Sequence, residues 1–202
     1  MDFTAIDFET ATSAFTSACS LGLCVVENGI IEERKEILIK PYPFEFNKYN
    51  IKIHGITPQA VQNSPTFDEY WQELIPYIKN RMVIAHNASF DIRVLCETLG
   101  HYGITPPDFD YLCTVKLSQK AYPELESHRL NRLCDALGIT FSHHHANDDA
   151  FACASAFLRI AYDYSLISFE EIEECFEVQR GRIRAGAPIK KRKHRRRAAA
   201  AI

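Results

Sequence analysis

The sequence lacks any uninterrupted apolar run of the roughly 20 residues that a bilayer-spanning helix needs, which excludes a transmembrane segment. A secretory leader is not expected either, because Asp2, Asp7 and Glu9 interrupt the N-terminus where its apolar stretch would lie. Seven cysteines are present (Cys19, Cys24, Cys96, Cys113, Cys134, Cys153 and Cys175), yet none forms a C-x-x-C pair. Their number is odd and most lie within apolar stretches, so they read as reduced core thiols of a cytoplasmic protein. That reading excludes a disulfide framework and a zinc site. No internal repeat of roughly 20–50 residues is present. Acid is absent from the C-terminus: all 26 acidic residues lie between Asp2 and Glu177, while ten of the 23 Lys/Arg lie from Arg180 onward. The body therefore carries −13 and the C-terminal segment +10. That split points to an acidic site accompanied by a polyanion-seeking arm.

What is present is a chain of 202 residues, 47% hydrophobic and 24% charged, enough for one domain of ordinary size with an appendage. Phe3 to Glu9 reads as a strand. Leu21 to Glu27, the Asn28-Gly29 turn and Ile30 to Ile39 read as a hairpin that extends the sheet. Pro41 to Asn50 has no periodicity and reads as a loop. Thr57-Pro58 starts a short helix, and Thr66-Phe67-Asp68-Glu69 opens a longer one to about Lys79. Arg81 to Ala85 is a short buried strand, after which Asn87 or Ser89 caps a helix to Leu99. A strand over Asp110 to Thr114 and helices over Val115 to Lys120, Leu130 to Leu137 and Asn147 to Tyr164 follow, the last capped by Asn147. Ser168 caps an acidic helix to about Arg184, and Gly186-Ala187-Pro188 marks a linker. The expectation is an α/β domain with a mixed sheet over 1–165, a C-terminal acidic helix over 166–185 and a flexible basic tail over 186–202.

Three segments carry chemistry. Asp7 and Glu9 lie two apart on a strand, so both project from the same face. Burying such a pair is costly unless a cation lies between them. The run His86-Asn87-Ala88-Ser89-Phe90-Asp91 follows a strand directly, which puts Asp91 where open α/β sheets place ligands. The third is His143-His144-His145-Ala146-Asn147-Asp148-Asp149-Ala150. Helical spacing sets Asp149 on the face of Cys153, Phe157 and Ile160, toward the core, with Asp148 toward solvent. Four carboxylates from three segments balance two divalent cations. Oxygen-rich ligation suits Mg²⁺ or Mn²⁺, which can hold the attacking and leaving oxygens of a phosphoryl displacement. A nearby histidine can take a proton from water. Spacing alone leaves His143, His144 and His145 equally open.

At these residues the sequence resembles the DEDDh (DnaQ-like) 3′–5′ exonucleases, the family of polymerase proofreading subunits. The likeness is collinear over about residues 1–163. It rests on Asp7-Phe8-Glu9-Thr10, Ile53-His54-Gly55-Ile56-Thr57, His86 to Asp91, the stretch His128 to Ile139, and His144 to Ala150. The resemblance implies a ribonuclease-H-like fold with a five-stranded mixed sheet flanked by helices. It implies Asp7, Glu9, Asp91 and Asp149 as metal ligands and His144 as general base. It also implies Phe8, Thr10, His54, Asn87 and Phe90 around the terminal nucleotide. The third motif departs from the family in having Asn147 where an apolar residue is usual, which would tilt that helix start.

The activity so implied is hydrolysis of single-stranded DNA from its 3′ end with release of nucleoside 5′-monophosphates. The alternatives are an exoribonuclease of the same family and an inactive nucleic-acid-binding module. The second would be expected to lose one of five catalytic positions, and all five are retained. With no polymerase domain following, proofreading would need a separate polymerase or repair partner, or the enzyme acts alone. The basic run Lys190, Lys191, Arg192, Lys193, Arg195, Arg196 and Arg197 suits polyanion binding or targeting.

Overall fold

The computed structural model describes residues 1–186. In chain order the strands are β1 (Phe3–Thr10), β2 (Ala18–Glu27), β3 (Ile30–Leu38), β4 (Met82–Ala85), β5 (Phe109–Cys113) and β6 (Gly181–Ile183). The helices are α1 (Lys48–His54), α2 (Pro58–Val61), α3 (Phe67–Ile78), α4 (Asp91–His101), α5 (Thr114–Ala121), α6 (Leu130–Leu137), α7 (Ala146–Asp163) and α8 (Phe169–Phe176). Among the described residues the sheet has six strands in the order β3-β2-β1-β4-β5-β6. β1, β4 and β5 run parallel, and the other pairings are antiparallel. The β2–β3 hairpin closes through Asn28 and Gly29, both at positive φ (53° and 76°), as a turn matched to strand twist requires.

Period-two alternation sorts β1 between two cores. Ile6 and Phe8 pack on one side of the sheet with Trp71 and Leu74 of α3 and Leu95 and Leu99 of α4. Phe3 and Ala5 pack on the other side with Cys153 and Phe157 of α7 and Ile172 and Phe176 of α8. Asp7 and Glu9 continue the second series and so project toward α7. All seven cysteines are free thiols, and five are buried. Burial pushes the Cys96 and Cys134 thiols up to about 12, away from thiolate chemistry at neutral pH. Among the described residues no helix is long and apolar enough to cross a membrane.

Four local expectations are corrected. The stretch Pro41 to Asn50 is not all loop. Asn47 accepts a hydrogen bond from the Tyr49 amide and starts α1 at Lys48, a helix held in place by bonds to the end of β1. Neither Asn87 nor Ser89 caps α4. Asn87 lies in a left-handed turn (φ 66°), and the helix begins at Asp91 after Phe90. Asn147 is not the cap of α7 but lies in its first turn behind His145. The acidic helix capped by Ser168 stops at Phe176, not Arg184. Glu177 turns left-handed (φ 52°), Arg180 folds back onto Glu170 and Glu173, and Gly181–Ile183 joins β5. That added strand makes the sheet one strand wider than the expected five. Its pairing spans 75 residues of sequence, which no local pattern could have announced.

Candidate active site

β1 pairs with β2 along its whole length but with β4 only from Phe3 to Ala5, because β4 ends at Ala85. Beyond that point the β4 side of β1 is open, at the carboxyl end of the parallel strands. The Phe8 amide there has no ladder partner. It donates instead to Asp91 Oδ1 at 3.0 Å, a buried bond that carries the first residue of α4 across the gap. Asp91 and Asp149 are buried; Asp7 and Glu9 are half-buried.

Asp149 arrives from the other side, and Gly22 is what lets it approach. Gly22 is the cross-strand partner of Asp7. A Cβ there would lie 1.9 Å from the Ala146 carbonyl oxygen, so the first turn of α7 rests directly on the β2 backbone. Sequence reasoning passed over Gly22, although a glycine inside an otherwise apolar strand is a signal of close backbone approach. Asp148 points outward as expected, where Arg34 of β3 pairs with it.

The carboxylate oxygens of Asp7, Glu9 and Asp149 lie within 4.8 Å of one another. Burial, then repulsion from Asp91, Asp149 and Glu9, holds the Asp7 carboxyl well above the usual carboxylate range. Burial, then repulsion from Asp149, Asp91 and Glu36, raises Glu9 to about 8. Asp91 is raised to about 7, burial outweighing the Phe8 amide, and Asp149 is raised by burial. Groups so placed favour neutralisation by protons or by cations. An all-oxygen carboxylate set fits hard divalent cations such as Mg²⁺ or Mn²⁺.

The histidine triplet separates into three roles. His145 precedes α7 as its N-terminal boundary. The His143 ring meets Asp149 (Nδ1 to Oδ1, 2.6 Å). The His144 amide donates to Asp149 Oδ2 at 2.8 Å, and its ring stacks on His143 with centroids 3.9 Å apart. His144 holds φ 71°, a conformation costing a non-glycine residue on the order of 1–3 kcal/mol. Burial and repulsion from His143 push its pKa below the ordinary value, which keeps the ring neutral near pH 7 and able to accept a proton.

A cleft of about 970 Å³ opens over this cluster. Asp7, Phe8, Glu9, Asn87, Phe90, His144 and Asp149 all line it, and its far wall is the segment Glu126 to Asn131. His86 is a lining residue that sequence reasoning gave no role. It bonds to Thr114 Oγ1 at 2.9 Å, and burial lowers it to about 4. Thr10 and His54 are buried and do not line the cleft. Both ring nitrogens of His54 are engaged, Nδ1 accepting from the Ile56 amide and Nε2 facing the Thr10 carbonyl at 3.3 Å. This histidine fastens α1 to the end of β1. Lys190, Lys191, Arg192, Lys193, Arg195, Arg196 and Arg197 lie outside the described residues.

Residues 4–157 match the family model RNase_T, described as exonuclease. The PolC-type DNA polymerase III of Thermotoga petrophila is 29% identical over 175 residues, which are 85% of this chain and 13% of the relative. The 3′-5′ exonuclease DinG of Bacillus subtilis is 29% identical over 162 residues, 78% of this chain and 17% of the relative. The chain thus spans less than a fifth of either relative's length. Among solved structures, exonuclease X in complex with 5′ overhanging duplex DNA superposes with a TM-score of 0.67 at 22% identity, covering 86% of this chain and 99% of that one. The nuclease domain of 3′hExo, a DEDDh family member bound to rAMP, gives 0.69 at 17% identity, covering 80% and 92%. These likenesses identify the sheet and its flanking helices as the ribonuclease-H-like exonuclease fold.

Proposed function

The chain belongs to the RNase_T exonuclease family, in its DEDDh (DnaQ-like) group, and from that premise we propose that it removes nucleoside 5′-monophosphates from the 3′ end of single-stranded DNA. The observation that carries the reading is the meeting of Asp7, Glu9 and Asp149 in one cleft at the open end of the sheet, with Asp91 buried behind them, bonded to the Phe8 amide and close enough to raise Asp7. Two divalent cations, Mg²⁺ or Mn²⁺, held by these carboxylates would supply charge neutralisation, a more acidic water and stabilisation of the in-line displacement.

The protein's own residues account for the remainder. The His144 ring takes the proton of the attacking water. That oxygen bonds to phosphorus as the P–O3′ bond breaks, leaving a nucleoside 5′-monophosphate and an O3′ that takes a proton from solvent water to become the new 3′-hydroxyl. Phe90 offers apolar surface to the terminal base and Asn87 an amide at the cleft, while Phe8, packed against Phe67 in the core, supports the strand that carries Asp7 and Glu9. Thr10 and His54 act one layer behind, by holding α1 to the rim. DNA is the preferred substrate because the 29% identical relative from Thermotoga petrophila is a DNA polymerase. A polymerase partner is proposed on the same ground.

The test is hydrolysis of 5′-labelled DNA and RNA strands of one sequence with Mg²⁺, beside a single-stranded circle. The expected result is a descending ladder from the DNA strand and an intact circle. Cutting of the circle would identify an endonuclease, and a ladder from RNA alone would make this an exoribonuclease.

A further inference from the structure

Large exposed apolar side chains are unevenly distributed over the molecule. Tyr42, Phe44, Tyr49 and Ile53, at 54%, 44%, 70% and 36% exposure, fall within one stretch of the chain. Tyr42 is occupied by stacking on His101 at 4.2 Å. Phe44 meets Phe46 edge-on at 5.7 Å and Lys40 Nζ at 5.8 Å yet keeps 44% exposure, and Tyr49 and Ile53 remain. Tyr49 and Ile53, four residues apart on α1, share one face, and Lys48 and Lys52 share the neighbouring one.

The charge in this stretch also runs against the rest of the body. Arg34, Lys35, Arg81, Arg93, Lys120 and Arg159 are paired with carboxylates. Lys40, Lys48 and Lys52 have no such partner among the described residues, as is also true of Lys79, Lys116, Arg129 and Arg132 elsewhere in the body. Glu45 is the one acid between Lys40 and Thr66, so the stretch carries +2 within a body of −13.

This surface is fastened to the end of β1, directly after Glu9, the last residue of that strand to line the cleft. The Asn47 amide donates to the Ala11 carbonyl at 2.8 Å. Asn50 Nδ2 donates to the Thr10 carbonyl at 2.8 Å, which His54 Nε2 also faces. Three bonds therefore hold α1 against the residues immediately following Glu9, on the rim of the cleft.

We propose that this face of α1 and its preceding loop form a track for the single strand as it leaves the cleft. The bases stack on Tyr49 and Phe44, and the phosphates meet Lys48 and Lys52. The position of the 3′ end rests on the exonuclease reading above, which this proposal extends to the nucleotides upstream. Aromatic faces with interleaved cations suit single strands, because every base has a π-face and every link a negative charge. Seven helical residues span about 10 Å, the length of about three stacked nucleotides at roughly 3.4 Å each. A protein partner would have to match both the apolar face and unpaired lysines, whereas a polyanion is repelled by the acidic body and accepted here.

The test separates binding from hydrolysis. Affinity for a labelled single-stranded DNA decamer is measured by fluorescence anisotropy in chelator, while strand hydrolysis with Mg²⁺ is followed separately. Tyr49→Ala and Phe44→Ala should each weaken binding about 5- to 150-fold. Tyr49→Phe should restore it. Lys48→Ala with Lys52→Ala should lower the slope of log affinity against log salt by about 1.4. Tyr162→Ala, which removes an 80% exposed aromatic at the end of α7, should change nothing. Unchanged affinity in the Tyr49 and Phe44 variants, or no decamer binding by the wild type, would overturn the track. Loss of affinity in those variants supports it whether or not the strand is hydrolysed, and hydrolysis alone judges the exonuclease reading.

Discussion

Asp7 is the residue at which the cost of the site is greatest, since it feels burial and three neighbouring carboxylates at once. Each carboxyl raised above its unfolded value leaves the folded state holding more protons than the unfolded state between the two pKa values. By linkage, stability contributed by the protonated form is present at low pH and lost as pH rises through the folded pKa. With Asp91 near 7 and Glu9 near 8, the metal-free protein should lose thermal stability between about pH 4 and 8. Mg²⁺ or Mn²⁺ added at pH 8 should raise Tm by mass action. Asp7→Asn should abolish nuclease activity and yet raise Tm in chelator at pH 8. A melting temperature that climbs with pH in chelator would contradict this account. For the proton acceptor, His144→Ala should cost about 10²–10⁴-fold in kcat. His143→Ala, which removes a ring that bonds Asp149 but has no assigned proton to take, should cost far less. Single-turnover rates on the two variants decide between them.

Among the elements, the approach of α7 to β2 sets the site most directly. Gly22→Ala would put a methyl group where the Ala146 carbonyl oxygen stands, and backbone on both sides leaves little room to yield. Overpacking of this kind typically costs about 1–3 kcal/mol, and here it also displaces Asp149 from Asp7. Stability and kcat should therefore fall together, measured by denaturant unfolding and by turnover. A variant with normal turnover would show that the helix start can slide without loss. On the sheet's far edge, α8 buries Ile172 and Phe176 beneath α7. Phe176→Ala should destabilise the fold by about 3–5 kcal/mol with the cleft residues untouched. The acidic pattern after Ser168 is legible as a helix in the sequence. Its stop at Phe176 depends on Arg180 bonding back to Glu173 and on β5 offering an edge.

Over the whole molecule, the direction of the strands determines where the last described strand ends. β6 runs antiparallel to β5, so Ile183 lies opposite Phe109, at the end of the sheet away from the cleft. Arg184 is tied there to Asp110, and the seven Lys/Arg of 190–197 come later in the sequence. Phosphate contacts made by this basic segment would raise local substrate concentration without touching the transition state. Truncation after Gly186 should weaken single-strand binding and flatten its salt dependence by about 0.7 per lost phosphate contact, with kcat nearly unchanged. Equal affinity and salt slope in the truncated protein would make the segment a targeting or partner element.

Much of the protein was determined by local pattern. The alternation of β1 already put Asp7 and Glu9 on one face, and helical spacing already turned Asp149 inward and Asp148 outward. Such periods are properties of the backbone itself, so a sequence carries them without knowing its neighbours. The carboxylate set was legible for the same reason, since its members lie in short motifs at strand and helix ends. What only the tertiary structure decided involves partners far apart in the chain. The contact of His143 with Asp149 depends on a left-handed turn at His144. The engagement of His54 depends on a carbonyl 44 residues away. The sixth strand needs the edge of β5, and the tolerance for α7 rests on the missing side chain of Gly22. Each of these is settled by steric fit and hydrogen-bond satisfaction between elements, which come into being only when the elements have packed.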